Sequence, residues 1–140
     1  MDPGLKVLHF PDIDYQNHYL TFIDALTAVK IWSNANSNHI PIFILVEAKE
    51  DGLANVYPSL SGFTQPLPFD RDALDAIDAD IRSVFGDDLN KVITPDDVRG
   101  TNESLEAVIL DGGWPTIGRI TRQSFFWFGQ RWCHSGRICC

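Results

Sequence analysis

Two ionisable side chains close apolar runs in the first third of this 140-residue chain. His9 stands in VLHFPDIDY (Val7 to Tyr15), and Glu47 stands in IPIFILVEAKE. A histidine that titrates near neutral pH can give a proton to a leaving group. A carboxylate can hold a hard cation through oxygen. Together they suit hydrolysis of a phosphate ester, where charge builds on the phosphoryl oxygens and the departing alkoxide needs a proton. Each alone has a plainer reading. His9 is then a hydrogen-bonded structural residue on a strand, and Glu47 pairs with Lys49, two residues on and on the same strand face. Asp12 and Asp14 follow His9 and are candidates for a cation or substrate hydroxyls, although acids are common turn formers after a proline. Calcium takes roughly six to eight oxygens, so one carboxylate leaves such a site short. His39 precedes its strand and reads as structural. His18 reads as exposed or capping at a helix entry.

The elements that would hold these residues alternate between strand and helix. Leu5 to Phe10 is a short strand closed by Pro11. From Tyr19 to Asn34 the apolar residues Leu20, Ile23, Leu26, Val29 and Trp32 recur every three or four positions, which predicts a helix. The run from Ile40 to Glu47 then predicts a strand buried on both faces. Strand, helix and strand in that order suit a right-handed parallel crossover, and such folds place their active sites at the carboxyl ends of the strands. That is where His9 and Glu47 fall. Asp51 to Phe69 is a long proline- and glycine-containing loop. A second helix is expected from Arg71 to Phe85, with Leu74, Ile77, Ile81 and Val84 inward and Gly86 as its stop. Lys91 to Thr94 is a short strand. Thr94-Pro95-Asp96-Asp97 is a helix start with an N-cap threonine and a proline in the first turn, and a last helix covers Glu103 to Leu110.

Bulk properties narrow the function classes. The formal charge of -8 argues against general nucleic-acid binding. No apolar stretch approaches the roughly 18 to 20 residues of a membrane span. MDPGLKVLHF lacks the pattern of a signal peptide, so the chain taken literally is cytoplasmic. The three cysteines, Cys133, Cys139 and Cys140, fit neither a disulfide framework nor the usual zinc spacing. The composition changes sharply after Thr116. Residues 117–140 hold four arginines, no carboxylate, all three cysteines and the FFWF cluster. This divides the chain into a module over 1–116 and a divergent basic, aromatic tail over 117–140, read as a frameshift product rather than a partner-binding or membrane-touching segment.

VLHFPDIDY, WSNANSNHIPIFILVEAKED, VITPDDVRG and GGWPT, in this order, together resemble the microbial calcium-dependent phosphoinositide phospholipase C family. The resemblance covers about Lys6 to Thr116. It implies an α/β fold, a partial TIM-type (β/α) barrel with parallel strands and flanking helices. It also implies a two-step phosphodiester cleavage through a cyclic inositol phosphate, assisted by calcium. By resemblance His9 matches the acid that protonates the diacylglycerol leaving group, and Glu47 matches a calcium-ligating glutamate at a strand end. Lys49 lies beside the metal and phosphate region without a firm role. The substrate implied is a phosphoinositide or related phosphodiester, with a peripheral membrane surface as partner and a secreted full-length protein. The family's His-Asn pair, Glu-x-Asp pair and later Gly-Lys strand have no counterpart here. A complete barrel takes about 250 residues. The expectation is therefore the middle of a barrel, truncated at the front, with little or no activity of its own. Two other readings stay open: a non-catalytic module that binds a partner or anionic surface, and a glycerophosphodiester phosphodiesterase-like barrel.

Overall fold

The structure, a computed structural model, describes residues 4–14, 16–113 and 116 in full and the backbone of 124–129. The chain divides into two units, Met1–Trp32 with Ala48–Val84 and Ser33–Glu47 with Phe85–Cys140.

In the first unit the helical spacing is realised as α1, Phe22–Ala35, which runs on into the second unit. Its start lies three residues later than the periodicity suggests, because residues 20–22 are engaged elsewhere. Lys6 and Thr21 form a single antiparallel bridge, Val7 N–H donates to the Leu20 carbonyl at 3.2 Å, and Phe22 N–H donates to the Leu5 carbonyl at 2.9 Å. The Thr21 hydroxyl then accepts from Asp24 N–H at 3.2 Å, as an N-cap does. The buried stripe of α1 is therefore Phe22 and Leu26, while Leu20, Ile23 and Trp32 are exposed. The strand expected over Leu5 to Phe10 is reduced to that one bridge. The chain bends at His9 and Phe10, and the His9 amide is taken by a carboxylate instead of a ladder carbonyl.

A short helical turn, α2 (Leu53–Val56), breaks the long loop, and α3 (Arg71–Phe85) follows with the predicted bounds. Ile77 and Ile81 are buried; Leu74 and Val84 are half-buried. Gly86 ends the helix with φ of 46°, a left-handed conformation that glycine adopts at little cost. Lys30 Nζ on α1 donates to the Val84 carbonyl at 2.9 Å, tying the two helices.

The second unit is built on a parallel sheet. β1 (Ile42–Glu47) and β2 (Val92–Ile93) both pair in parallel with β3 (Ser124–Gly129), giving the order β1-β3-β2. Between them a 3-10 turn over Gly86–Lys91 leads into β2. α4 (Pro95–Arg99) and α5 (Leu105–Asp111) follow β2. Thr94 caps α4 as the sequence predicts: its hydroxyl accepts from Asp97 N–H at 3.3 Å, and Asp97 Oδ2 accepts from Thr94 N–H at 2.8 Å. Val92, Ile93 and Val98 are buried.

Two expectations change at the sheet. β1 is not buried on both faces. Ile42, Ile44 and Val46 are half-buried, whereas Phe43 and Leu45 are 66% and 71% exposed and share their face with exposed Glu47. The tail, for which no element is predicted, supplies the central strand. Its arginine-rich flanks and all three cysteines lie outside the described residues. Among the described residues the three strands form one sheet and close no barrel.

Leu26 and Ile77, each 1% exposed, anchor the first unit. Leu26→Ala is expected to cost about 2–5 kcal/mol by urea denaturation, and Leu67→Ala, at a fully open position, within about 0.5 kcal/mol. A second prediction concerns charge. Desolvation by burial raises the carboxyl of Asp80 on α3 above the ordinary aspartate value. The folded state thus penalises the ionised form. The penalty is full at neutral pH and is relieved as pH falls through the raised value. Asp80→Asn should therefore increase the urea midpoint at pH 7, and the gain should vanish in acid once the native carboxyl is protonated.

Candidate active site

The residues that sequence reasoning singled out in the first unit gather around one bend. His9 is exposed there. Its backbone N–H donates to Asp14 Oδ2 at 2.7 Å, and its carbonyl accepts from Lys49 Nζ at 3.2 Å. Asp14 N–H donates in turn to the Phe10 carbonyl at 3.2 Å, closing residues 10–14 into a turn. Upstream, the Asn17 amide donates to the Val7 carbonyl. The sequence DID places Asp12 at the tip of this turn with φ of 69°. That region is sparsely used by residues other than glycine, but aspartate and asparagine enter it more readily than most.

Asp12 also reaches the long loop. Its Oδ2 accepts from Thr64 N–H at 2.9 Å and its Oδ1 from the Thr64 hydroxyl at 2.5 Å. The loop is held at two further points. Glu50 Oε1 accepts from Phe69 N–H at 2.7 Å, bridging its ends. Gly52 is buried, and a Cβ there would stand 3.1 Å from Pro66 Cδ and Cγ and 3.3 Å from the Thr64 carbonyl. A side chain at that position would have to push these neighbours back by a few tenths of an ångström, so glycine is favoured there by close approach and not by φ. Thr64, Glu50 and Gly52 escaped sequence reasoning, because a loop without periodicity gives no sign of which residue lies against which.

In the second unit Glu47 is the last residue of β1, opposite Gly129 of β3, and is exposed. It is at the carboxyl end of its strand, where the sequence puts it. Lys49 follows two residues later in the first unit, so the His9 bend is joined to the segment that leaves β1. His39 sits in the turn between α1 and β1, at the amino end of the strand. Its Nε2 is 2.6 Å from Ser33 Oγ, and its Nδ1 is 2.5 Å from the Ile40 carbonyl. A carbonyl only accepts, so Nδ1 carries the proton and, in the neutral ring, the serine hydroxyl donates to Nε2. Both ring nitrogens serve the turn. His18 is exposed before α1.

The profile of the family described as phosphoinositide phospholipase C, Ca2+-dependent, matches residues 1–136. The chain belongs to this family. Two solved structures have the same fold. A Ca2+-dependent phosphatidylinositol-specific phospholipase C from Streptomyces antibioticus superposes with a TM-score of 0.57 at 21% identity, covering 82% of this chain and 31% of its own. A calcium-dependent phosphoinositol-specific phospholipase C from a Gram-negative Pseudomonas species, in apo and myoinositol-complex form, gives 0.55 at 19%, with 86% and 36% covered. The chain thus spans about a third of the length of these enzymes. Comparison with curated proteins gives no match.

Family membership makes calcium the cation to test against the residues present. Among the described residues no three histidine, cysteine, aspartate or glutamate side chains are grouped closely enough to hold a metal. The carboxylates beside His9 accept hydrogen bonds from Thr64 and from the His9 amide itself. These residues do not make a calcium site by themselves. Isothermal titration of the chain with calcium is expected to show no saturable binding tighter than about 1 mM, the weak end for dedicated protein sites. A stoichiometric micromolar site would contradict this.

Proposed function

We propose that the chain is the part of a phosphatidylinositol-cleaving phosphodiesterase that carries the leaving-group acid and one calcium ligand. The observation that carries this reading is the family match over residues 1–136, which contains both His9 and Glu47. On the family's chemistry the inositol 2-hydroxyl gives up its proton to a base other than His9 and attacks phosphorus, and a cyclic phosphodiester forms as the bond to the glycerol oxygen breaks. His9, as imidazolium, gives its proton to that oxygen and is left neutral, ready to take a proton from the water that opens the ring. Proton delivery of this kind is worth typically 10²–10⁴-fold in rate. Exposure of His9 at a bend leaves its ring open to a lipid headgroup.

Glu47 is proposed as one ligand of a calcium site whose other ligands come from further elements. The architecture proposed for it is part of a (β/α) barrel, with Phe43, Leu45 and Glu47 on the inner face of β1. Two apolar residues beneath a carboxylate at the strand's carboxyl end suit a packed barrel interior with an active site above it. Asp12, Asp14 and Lys49 belong to the loops around the headgroup. The membrane surface that presents the substrate is the proposed partner. No helix among the described residues is long and apolar enough to cross a membrane.

One histidine and one strand-end carboxylate do not complete the two-step reaction, so binding should be separable from turnover. With phosphatidylinositol vesicles and calcium, release of inositol phosphate by the 140-residue chain is expected to stay at the background rate. Titration with myo-inositol 1,2-cyclic phosphate, followed by NMR, should shift the His9 ring and the Lys49 amide. Perturbations confined to other residues, or none, would overturn the substrate class. Robust calcium-dependent turnover would overturn the division between binding and catalysis.

A further inference from the structure

His9 lacks the support that a strand gives a catalytic side chain. A ladder fixes successive peptide planes through regular hydrogen bonds, and His9 stands instead on a bend. Where its ring points depends first on its own φ and ψ. These are set by the peptide plane before it, which carries its N–H, and the plane after it, which carries its carbonyl.

Both planes are held by charged side chains. Asp14 Oδ2 accepts from the His9 N–H at 2.7 Å, and Lys49 Nζ donates to the His9 carbonyl at 3.2 Å. Both anchors come from later in the chain, one five residues on and the other forty. A carboxylate is an acceptor only and an ammonium a donor only, so neither can take the other's place. Hydrogen bonds with one ionised partner are also stronger than neutral ones. Asp12 adds a third tie, since its bond pair to Thr64 fixes the tip of the His9 turn to the loop after Lys49.

We infer that Asp14 and Lys49 are positioning residues that set the orientation of His9 through its backbone, and that the Asp12–Thr64 pair holds the turn on which they act. The inference rests on the reading of His9 as the leaving-group acid, and it assigns these residues work other than touching substrate. Each of them directs a hydrogen bond at the main chain of residue 9 or at Thr64.

The test uses the whole 140-residue chain and two NMR readouts, with Leu26 and Ile77 amide protection as the control for folding. In Asp14→Ala the His9 amide should exchange with solvent about tenfold faster or more, as loss of a charge-assisted bond implies. In Asp14→Asn, which keeps an oxygen acceptor, exchange should stay within about twofold of the parent. Lys49→Met should move the His9 carbonyl carbon shift, and Lys49→Arg should restore most of it. The second readout is the dissociation constant for myo-inositol 1,2-cyclic phosphate, measured on the His9 ring. It should rise about fivefold or more in Asp14→Ala and stay near the parent value in Asp14→Asn. Unchanged His9 exchange in Asp14→Ala, with core amides still protected, overturns the inference. So does an altered backbone with an unaltered dissociation constant. If the parent chain shows no ring perturbation at all, the substrate reading falls, and the positioning of His9 is judged by the exchange and carbon shifts alone.

Discussion

The hydrogen bonds on either side of His9 are the interaction on which the candidate site depends. An exposed histidine on a bend has neither strand neighbours nor burial to hold it, so its direction comes from two ionised side chains acting on its backbone. Exposure would make an isolated surface ion pair worth little. The arrangement around His9 is different, because each charge meets a peptide group that is itself tied down. The turn is closed by the Asp14 amide on Phe10, and its tip is fastened to Thr64. Order at His9 is a property of this small network and not of any one bond.

That network explains why the loop after β1 is long. Residues 51–69 bring Thr64 to Asp12 and close their own ends through Glu50 and Phe69. Pro66 and the Thr64 carbonyl come close enough to Gly52 to crowd a Cβ there, so the loop folds back over its own start. A segment with little secondary structure is thereby given a definite path by side-chain acceptors and one glycine. Compact loops held in this way are common carriers of function on rigid scaffolds.

How much of this was legible in the sequence varies with the physics involved. Helices α3 and α4 were, since a 3.6-residue apolar stripe and a Thr-Pro-Asp-Asp start act locally. The place of β1 was legible as well, but its partner was not: the crossover expected from Leu5 to Phe10 does not form, and β1 pairs in parallel with β3. Its burial was not, because a continuous apolar run looks the same whether one face or both are covered. The first strand failed for a related reason. Leu5 to Phe10 has strand-forming residues, but whether a strand forms depends on a partner, and the N-terminal segment finds only Thr21 and its neighbours. The start of α1 and its buried stripe moved with that same bridge. Of the site, His9 and Glu47 were legible as residue types at the ends of apolar runs. The clasp between Asp12 and Thr64 spans 52 residues and could not be read from either end.

The sheet supplies the last constraint. In the order β1-β3-β2, Glu47 ends β1 beside Gly129, where no neighbouring side chain crowds the carboxylate from that position of β3. One step and two steps down its face stand Leu45 and Phe43, both largely exposed. A face of this kind is costly to leave in water, at about 25 cal/mol for each Å² of apolar surface, and large exposed apolar patches mark surfaces that meet something else. A strand with a carboxylate at its carboxyl end and largely exposed apolar residues below it suits a covered interior. The proposed barrel meets that requirement, because there the layer beneath the active site is filled by side chains from neighbouring strands. The same geometry ties the position of Glu47 to the packing of Leu45. The strand's two-residue period puts them on one face, so whatever covers Leu45 also sets the floor on which the Glu47 carboxylate stands.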